Sequence, residues 1–99
     1  MARLDVLTAN DRAGEYPRSW YAETAAPLPP FPAAAGDLAC DVCIVGAGFT
    51  GLSAALHLAG RGYDVVLLDA HRVGWGASGR NGGQVGTGQR LDQDALEKA

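Results

Sequence analysis

"DVCIVGAGFTG" (residues 41–51) joins an apolar run to three glycines at positions 46, 48 and 51. Its apolar half predicts a β-strand buried on both faces of a parallel sheet. The residues that follow, 49–62, predict a helix of about three turns that ends near Gly62. "DVVLLD" (64–69) predicts a second buried strand. A strand, a helix and a parallel strand form a right-handed βαβ unit, so the sequence predicts an α/β, Rossmann-like fold.

Each glycine has a physical reason to stand at its position in this unit. Gly46 permits the tight turn from strand to helix, Gly48 lets the backbone approach a pyrophosphate, and Gly51 lets the helix pack closely on the strand. The helix N-terminus then offers free N–H groups and partial positive charge to the phosphates. Asp69, 18 residues after Gly51, is placed to accept hydrogen bonds from an adenosine ribose and to repel a 2′-phosphate. The alternative is a plain strand-to-helix turn in another α/β fold.

A second glycine-rich stretch separates the two dinucleotide cofactors that share this ADP-binding unit. Residues 70–89, "AHRVGWGASGRNGGQVGTGQ", contain seven glycines in twenty positions. A nicotinamide dehydrogenase would have an ordinary crossover helix here. Ser78, Arg80 and Asn81 instead offer hydrogen-bond donors and a cation near the same pyrophosphate, which favours a flavin cofactor. The alternative is a flexible surface loop.

These motifs together resemble a known family. Residues 40–84 are similar to the N-terminus of the FAD-dependent amino-acid and amine oxidoreductases of the D-amino-acid-oxidase (glycine oxidase) superfamily, and the resemblance covers roughly residues 19–90. The pairing of "SWYAETA" (19–25) with "GWGASGRNGGQ" (74–84) is most similar to bacterial amine-oxidising members. The resemblance implies that FAD is held by nine residues: Gly46, Gly48, Gly51, Asp69, Ser78, Arg80, Asn81, Gly82 and Gly83.

Two departures from the family refine this expectation. The family more often has Glu at the ribose position, and Asp69 is shorter by one methylene, so we expect a looser or water-bridged ribose contact. Some relatives attach FAD covalently through a histidine in the second loop. No histidine lies between Arg72 and Ala99. We therefore expect FAD to be bound non-covalently.

The resemblance also implies the reaction. Hydride moves from a C–H beside nitrogen in a small amine or amino acid to the flavin, giving an imine that hydrolyses. No residue of the 99 suggests a catalytic acid or base, and two strands are too few for a stable open sheet, so we expect the chain alone to be marginally stable and inactive. Two alternatives stay open: another dinucleotide-dependent dehydrogenase (an FAD 2-hydroxy-acid type or an NAD-linked enzyme), and a non-catalytic gene fragment.

The chain divides into two parts. Residues 1–36 are expected to form an irregular arm, with a short helix at 19–25 capped by Ser19 and a polyproline-like stretch from residue 26. Its aromatic residues Trp20, Tyr21 and Phe31 are expected to lie against the body of a larger protein. Residues 37–99 are expected to be the N-terminal portion of a truncated FAD-binding domain, ending in a helix with solvated acids.

Composition excludes several other classes. The net charge of −3, with acids and bases interspersed, argues against a nucleic-acid or anionic-membrane surface. Apolar runs such as 65–68 fall far short of the ~20 residues of a membrane span. The N-terminal residues carry acids and no apolar core, unlike a secretory signal, so we expect a cytoplasmic protein.

The cysteines, histidines and one tryptophan have simpler interpretations. Cys40 and Cys43 would lie ~10 Å apart along an extended chain, too far for a disulfide and without further metal ligands, so both are expected to be buried and structural. His57 is expected to face solvent. His71 is expected to be a loop residue or to pack on adenine, and Trp75 to shield the cofactor or fill a domain seam.

Overall fold

The computed structural model describes residues 9, 11–12, 14–26, 28–86, 88 and 92–98. Its elements in chain order are helix α1 (Trp20–Thr24), strand β1 (Val42–Val45), helix α2 (Phe49–Ala59), strand β2 (Val65–Leu68), a 3₁₀ turn (Ala77–Gly79) and helix α3 (Gln93–Glu97). The expected βαβ unit is present. Strands β1 and β2 are parallel neighbours, with Val42 opposite Val65 and Val45 opposite Leu68. Helix α2 packs against both strands.

Helix α2 ends in a turn that only glycine closes without strain. The Tyr63 amide donates to the Leu58 carbonyl at 3.2 Å, and the Gly62 amide donates to Ala59 at 2.9 Å. Gly62 takes a φ of +91°, the left-handed conformation that a Schellman closure requires. The expected helix end near Gly62 is therefore confirmed, with the last α-helical residue at Ala59.

Little of the described chain is fully buried. Ala47 is its one buried apolar residue, at 2% exposure, whereas Val45 in β1 is 84% exposed. The prediction of two buried cysteines is wrong for Cys43, which is exposed, and Cys40 is half-buried. The reason is that no described residue forms a layer over that face of β1. Both thiols are free, as expected.

The N-terminal arm is irregular apart from α1. Ser19 caps this helix by accepting a hydrogen bond from the Ala22 amide at 3.2 Å, as predicted. Residues 28–40 contain no helix or strand, in agreement with an extended proline-rich stretch. Trp20, Tyr21 and Phe31 are 73%, 42% and 71% exposed in this chain, and their packing against the body of a larger protein stays a prediction.

The remaining elements lie at the surface. In helix α3, Asp92, Asp94 and Glu97 are exposed, as predicted, and Leu91, expected on its apolar face, lies outside the described residues. Among the helices of the described chain, none has the length and apolar character needed to cross a membrane.

Candidate cofactor-binding site

The first glycine loop makes a tight turn between β1 and α2. Gly46 takes a φ of +107°, and its amide donates to the Leu68 carbonyl at 2.7 Å, which ties the turn to the end of β2. A Cβ on Gly51 would overlap the carbonyl oxygen of Gly46. The turn therefore excludes any larger residue at 51, for the close-packing reason that the sequence predicted.

This turn leaves backbone donors free at the start of α2. Helix α2 has Gly48 as its N-cap, without a side-chain cap. The amides of Gly48, Thr50 and Gly51 donate to no other described residue, as expected for the first turn of a helix. Free amides at a helix N-terminus, together with the helix dipole, are an arrangement that can hold a phosphate.

Asp69 is fixed beside these amides by two backbone hydrogen bonds. One carboxylate oxygen accepts from the Ala47 amide at 2.7 Å, and the other accepts from the His71 amide at 2.7 Å. Each carboxylate oxygen keeps a further lone pair. The carboxylate can therefore brace the glycine loop and still accept a ribose hydroxyl.

The second loop contacts the first through Ser78 and Gly74. The Phe49 amide donates to Ser78 Oγ at 2.9 Å, and the Gly74 amide donates to the Ala47 carbonyl at 2.8 Å. Because Ser78 Oγ accepts from Phe49, its own proton remains available to a phosphate oxygen. A Cβ on Gly48 would lie 2.8 Å from Ser78 Oγ, so a side chain at position 48 would force the two loops apart.

Arg80 and Asn81 of the expected set form hydrogen bonds within the second loop. Arg80 donates from Nε to the Trp75 carbonyl at 2.9 Å, and its guanidinium carbon lies 4.4 Å from the centre of the Trp75 ring. Asn81 donates to the carbonyls of Ala77 and Ser78, and its side-chain oxygen accepts from Gly83. No hydrogen bond within the described chain joins Arg80, Asn81, Gly82 or Gly83 to the first loop. The structure thus brings together Gly46, Gly48, Gly51, Asp69 and Ser78.

Three further residues complete the site. Ala47 links both loops, since its amide binds Asp69 and its carbonyl binds Gly74. Gly74 takes a φ of +68°, and a Cβ on Gly79 would overlap the Gly74 carbonyl oxygen. The second loop therefore repeats the first: a left-handed glycine, then five positions later a glycine that must lack a side chain. The matching spacing of 46 to 51 and 74 to 79 was the available sequence signal.

The N-terminal arm docks on the loop that follows Asp69. Tyr16 donates its hydroxyl to the Val73 carbonyl at 2.9 Å, and Trp75 Nε1 donates to the Glu15 carbonyl at 2.8 Å. Trp75 thus joins the arm to this loop, and the two roles considered for it, shielding the cofactor and filling a domain seam, stay predictions. The His71 ring stacks on Trp75 with centroids 3.9 Å apart.

The lone helix histidine has no part in the site. His57 is exposed, and its Nδ1 lies 2.7 Å from the Ser53 carbonyl oxygen of the same helix. This agrees with the expected solvent-facing position.

A βαβ unit with free amides at its helix N-terminus and a carboxylate at the end of its second strand is typical of dinucleotide-binding proteins. Residues 41–99 match the family model described as "FAD dependent oxidoreductase" (DAO), and the chain belongs to this family.

Individual relatives agree with this assignment. The chain is 52% identical over 85 residues to gamma-glutamylputrescine oxidoreductase of Escherichia coli, covering 86% of this chain and 20% of the relative. It is 55% identical over 80 residues to a probable oxidoreductase, OrdL, of Rhizobium meliloti, covering 81% of this chain and 19% of the relative. It is also 41% identical over 64 residues to one subunit of the anaerobic glycerol-3-phosphate dehydrogenase of Haemophilus influenzae, covering 62% of this chain and 11% of the relative.

The chain thus spans about a fifth of the length of the first two relatives. No solved structure matches it significantly.

Proposed function

We propose that this chain is the N-terminal cofactor-binding portion of a larger FAD-dependent oxidoreductase, called the parent protein below, which oxidises an amine or amino acid to an imine. Residues 1–36 form its arm and residues 37–99 begin its FAD-binding domain. The observation that carries the proposal is the set of unpartnered amides at Gly48, Thr50 and Gly51 beside the doubly anchored carboxylate of Asp69.

The residues fit the ADP half of FAD. The free amides at the start of α2 would bind the pyrophosphate, with Ser78 adding a hydroxyl proton. Asp69 would accept from the adenosine ribose. Bound FAD supplies the hydride acceptor for a C–H beside nitrogen, and the chain's own residues bind and orient it. We propose that Arg80, Asn81, Gly82 and Gly83 also contribute to FAD binding from the second loop.

The choice of an amine rests on the relatives. The relative at 52% identity is named for gamma-glutamylputrescine, an amine. The same segment is also 41% identical to a relative named for glycerol-3-phosphate. Because proteins with such different substrates share this segment, it serves the common cofactor, and the substrate is selected elsewhere in the parent protein.

The test is to purify the parent protein and measure its visible flavin absorbance. Acid denaturation should release the flavin into the supernatant, which checks the non-covalent attachment. Gly48→Val, which fills the space between Gly48 and Ser78, should abolish flavin binding while circular dichroism shows a folded protein. A colourless wild-type protein that also fails to bind added FAD would contradict the proposal.

The substrate class needs a separate measurement. Under anaerobic conditions, an amine substrate should bleach the flavin absorbance, and a carbonyl product should appear as the imine hydrolyses. The panel contains gamma-glutamylputrescine, amino acids, 2-hydroxy acids and glycerol-3-phosphate. Bleaching by a hydroxy compound but by no amine would show that the chain belongs to a different flavoenzyme.

A further inference from the structure

A groove lies between the proline-rich stretch of the arm and the carboxyl end of β2. Its volume is about 530 Å³, and it is lined on one side by residues 28–34 and on the other by residues 67–73. Ligand sites commonly occupy roughly 300–1,000 Å³. The groove is therefore large enough for a nucleoside.

The groove is lined by both charged and apolar side chains. Ala47 and Asp69 line the groove, and the Ala47 amide donates to the Asp69 carboxylate in the candidate cofactor site. Opposite them stand Pro29, Pro30 and Phe31, the last 71% exposed. A flat heterocycle attached to a ribose matches this arrangement, because its sugar would reach the carboxylate while its ring packs against proline and aromatic side chains.

Arg72 holds this wall in place. Its Nη1 donates to the Gly14 carbonyl at 3.2 Å and its Nη2 donates to the Leu28 carbonyl at 2.5 Å, while its guanidinium carbon lies 4.8 Å from the centre of the Tyr16 ring. Arg72 follows Asp69 by three positions. One short loop therefore carries both Asp69, the proposed acceptor for the ribose hydroxyl, and Arg72, which anchors the arm.

We propose that residues 28–34 of the arm form the outer wall of the adenosine site, with Phe31 packing on the base and Arg72 acting as the positioning residue that sets the wall. This inference rests on the proposed function, because its occupant is the adenosine half of FAD. It goes beyond that function by assigning the proline-rich arm, outside the βαβ unit, to the binding site.

The test measures binding of FAD and of ADP to the flavin-free parent protein by calorimetry. Phe31→Ala should weaken both ligands by a similar factor, about 3- to 10-fold, since ADP contains the half that the wall contacts. The matched control is Trp20→Ala, which removes an aromatic side chain of the same arm with 73% exposure that does not line the groove. The control should leave both affinities within about twofold.

Arg72→Ala should give the same joint loss, because it removes the hydrogen bond that holds Leu28 of the wall. Far-UV circular dichroism checks that the variants fold. If the Arg72 variant fails to fold, Phe31→Ala still tests the inference, because an exposed side chain can be removed without disturbing the fold. Unchanged ADP and FAD affinities in Phe31→Ala would overturn this inference alone. An altered melting temperature with unchanged ADP affinity would also overturn it, by showing that the wall contributes to stability and not to binding. A wild-type protein that binds neither ligand would instead contradict the proposed function.

Discussion

Asp69 holds the backbone of the candidate site and is also proposed to bind the ribose. Substituting this residue and an ordinary exposed acid tests whether its position matters. Its two oxygens hold the amides of Ala47 and His71, each at 2.7 Å, and it is the proposed acceptor for the ribose. Asp69→Asn would turn one acceptor into an NH₂ donor facing a backbone donor. We expect FAD affinity to fall about 10- to 100-fold.

Titration calorimetry of the flavin-free parent protein measures this change. The matched control is Asp64→Asn, the same substitution at the other end of β2, where the side chain is exposed. It should alter the affinity by less than about twofold. Equal effects of the two substitutions would show that general charge, rather than the position of the Asp69 carboxylate, governs binding.

The glycines of the second loop differ sharply in what they tolerate. Gly79→Ala would push a methyl group into the Gly74 carbonyl, so we expect a loss of about 1–3 kcal/mol in the free energy of unfolding. Gly76→Ala, three positions earlier, meets nothing within 4 Å and has a φ of −78°, so it should be nearly neutral. Urea unfolding of the parent protein distinguishes them, and a neutral Gly79→Ala would contradict the tight turn.

Single residues were predictable where a motif constrains the backbone and unpredictable where a long side chain has several possible partners. The motif placed Gly46, Gly51 and Asp69 correctly next to each other, because backbone turns depend on neighbouring residues. It did not predict that Arg80 would bind the Trp75 carbonyl and lie over its ring. Long side chains choose among partners that a sequence pattern does not order.

The end of helix α2 is an element whose stability rests on one conformation. Gly62 has a φ of +91°, which costs a non-glycine residue about 1–2 kcal/mol. Gly62→Ala should therefore speed amide hydrogen exchange in the turn that joins α2 to β2, whereas Gly62→Asn should do so less, since Asn tolerates this conformation better. Mass-spectrometric exchange of this segment in the parent protein measures both. Identical exchange in wild type and Gly62→Ala would be inconsistent with the closure described.

The regular elements were predictable because their signals are local. Apolar runs gave β1 and β2, and Ser19 marked the start of α1. The 3₁₀ turn at Ala77–Gly79 was expected only as loop, since three residues carry no periodicity. The docking of the arm also had no local signal, because Tyr16 and Val73 stand 57 positions apart.

The complete described chain leaves β1 with a neighbour on one side only. The side chains of Val45 and Cys43 are exposed on one face of β1, and its unpaired edge is open to further pairing. In the parent protein we expect a further strand or layer to cover this face. Cys43 should therefore react quickly with a thiol reagent in the isolated chain and at least about tenfold more slowly in the parent protein.

Peptide mapping after a brief pulse of alkylation assigns the reaction to Cys43 in both proteins. Cys40, half-buried in the isolated chain, provides an internal comparison. Equal labelling rates at Cys43 would mean that this face of β1 stays open in the longer protein.

The distance along the chain between the arm and its docking loop has a consequence for biosynthesis. Glu15 and Trp75, which form one of the anchoring hydrogen bonds, are 60 positions apart. Glu15 is synthesised before Trp75, so the arm cannot form this hydrogen bond until Trp75 has also left the ribosome. Until then, the prolines of the arm disfavour its incorporation into a helix.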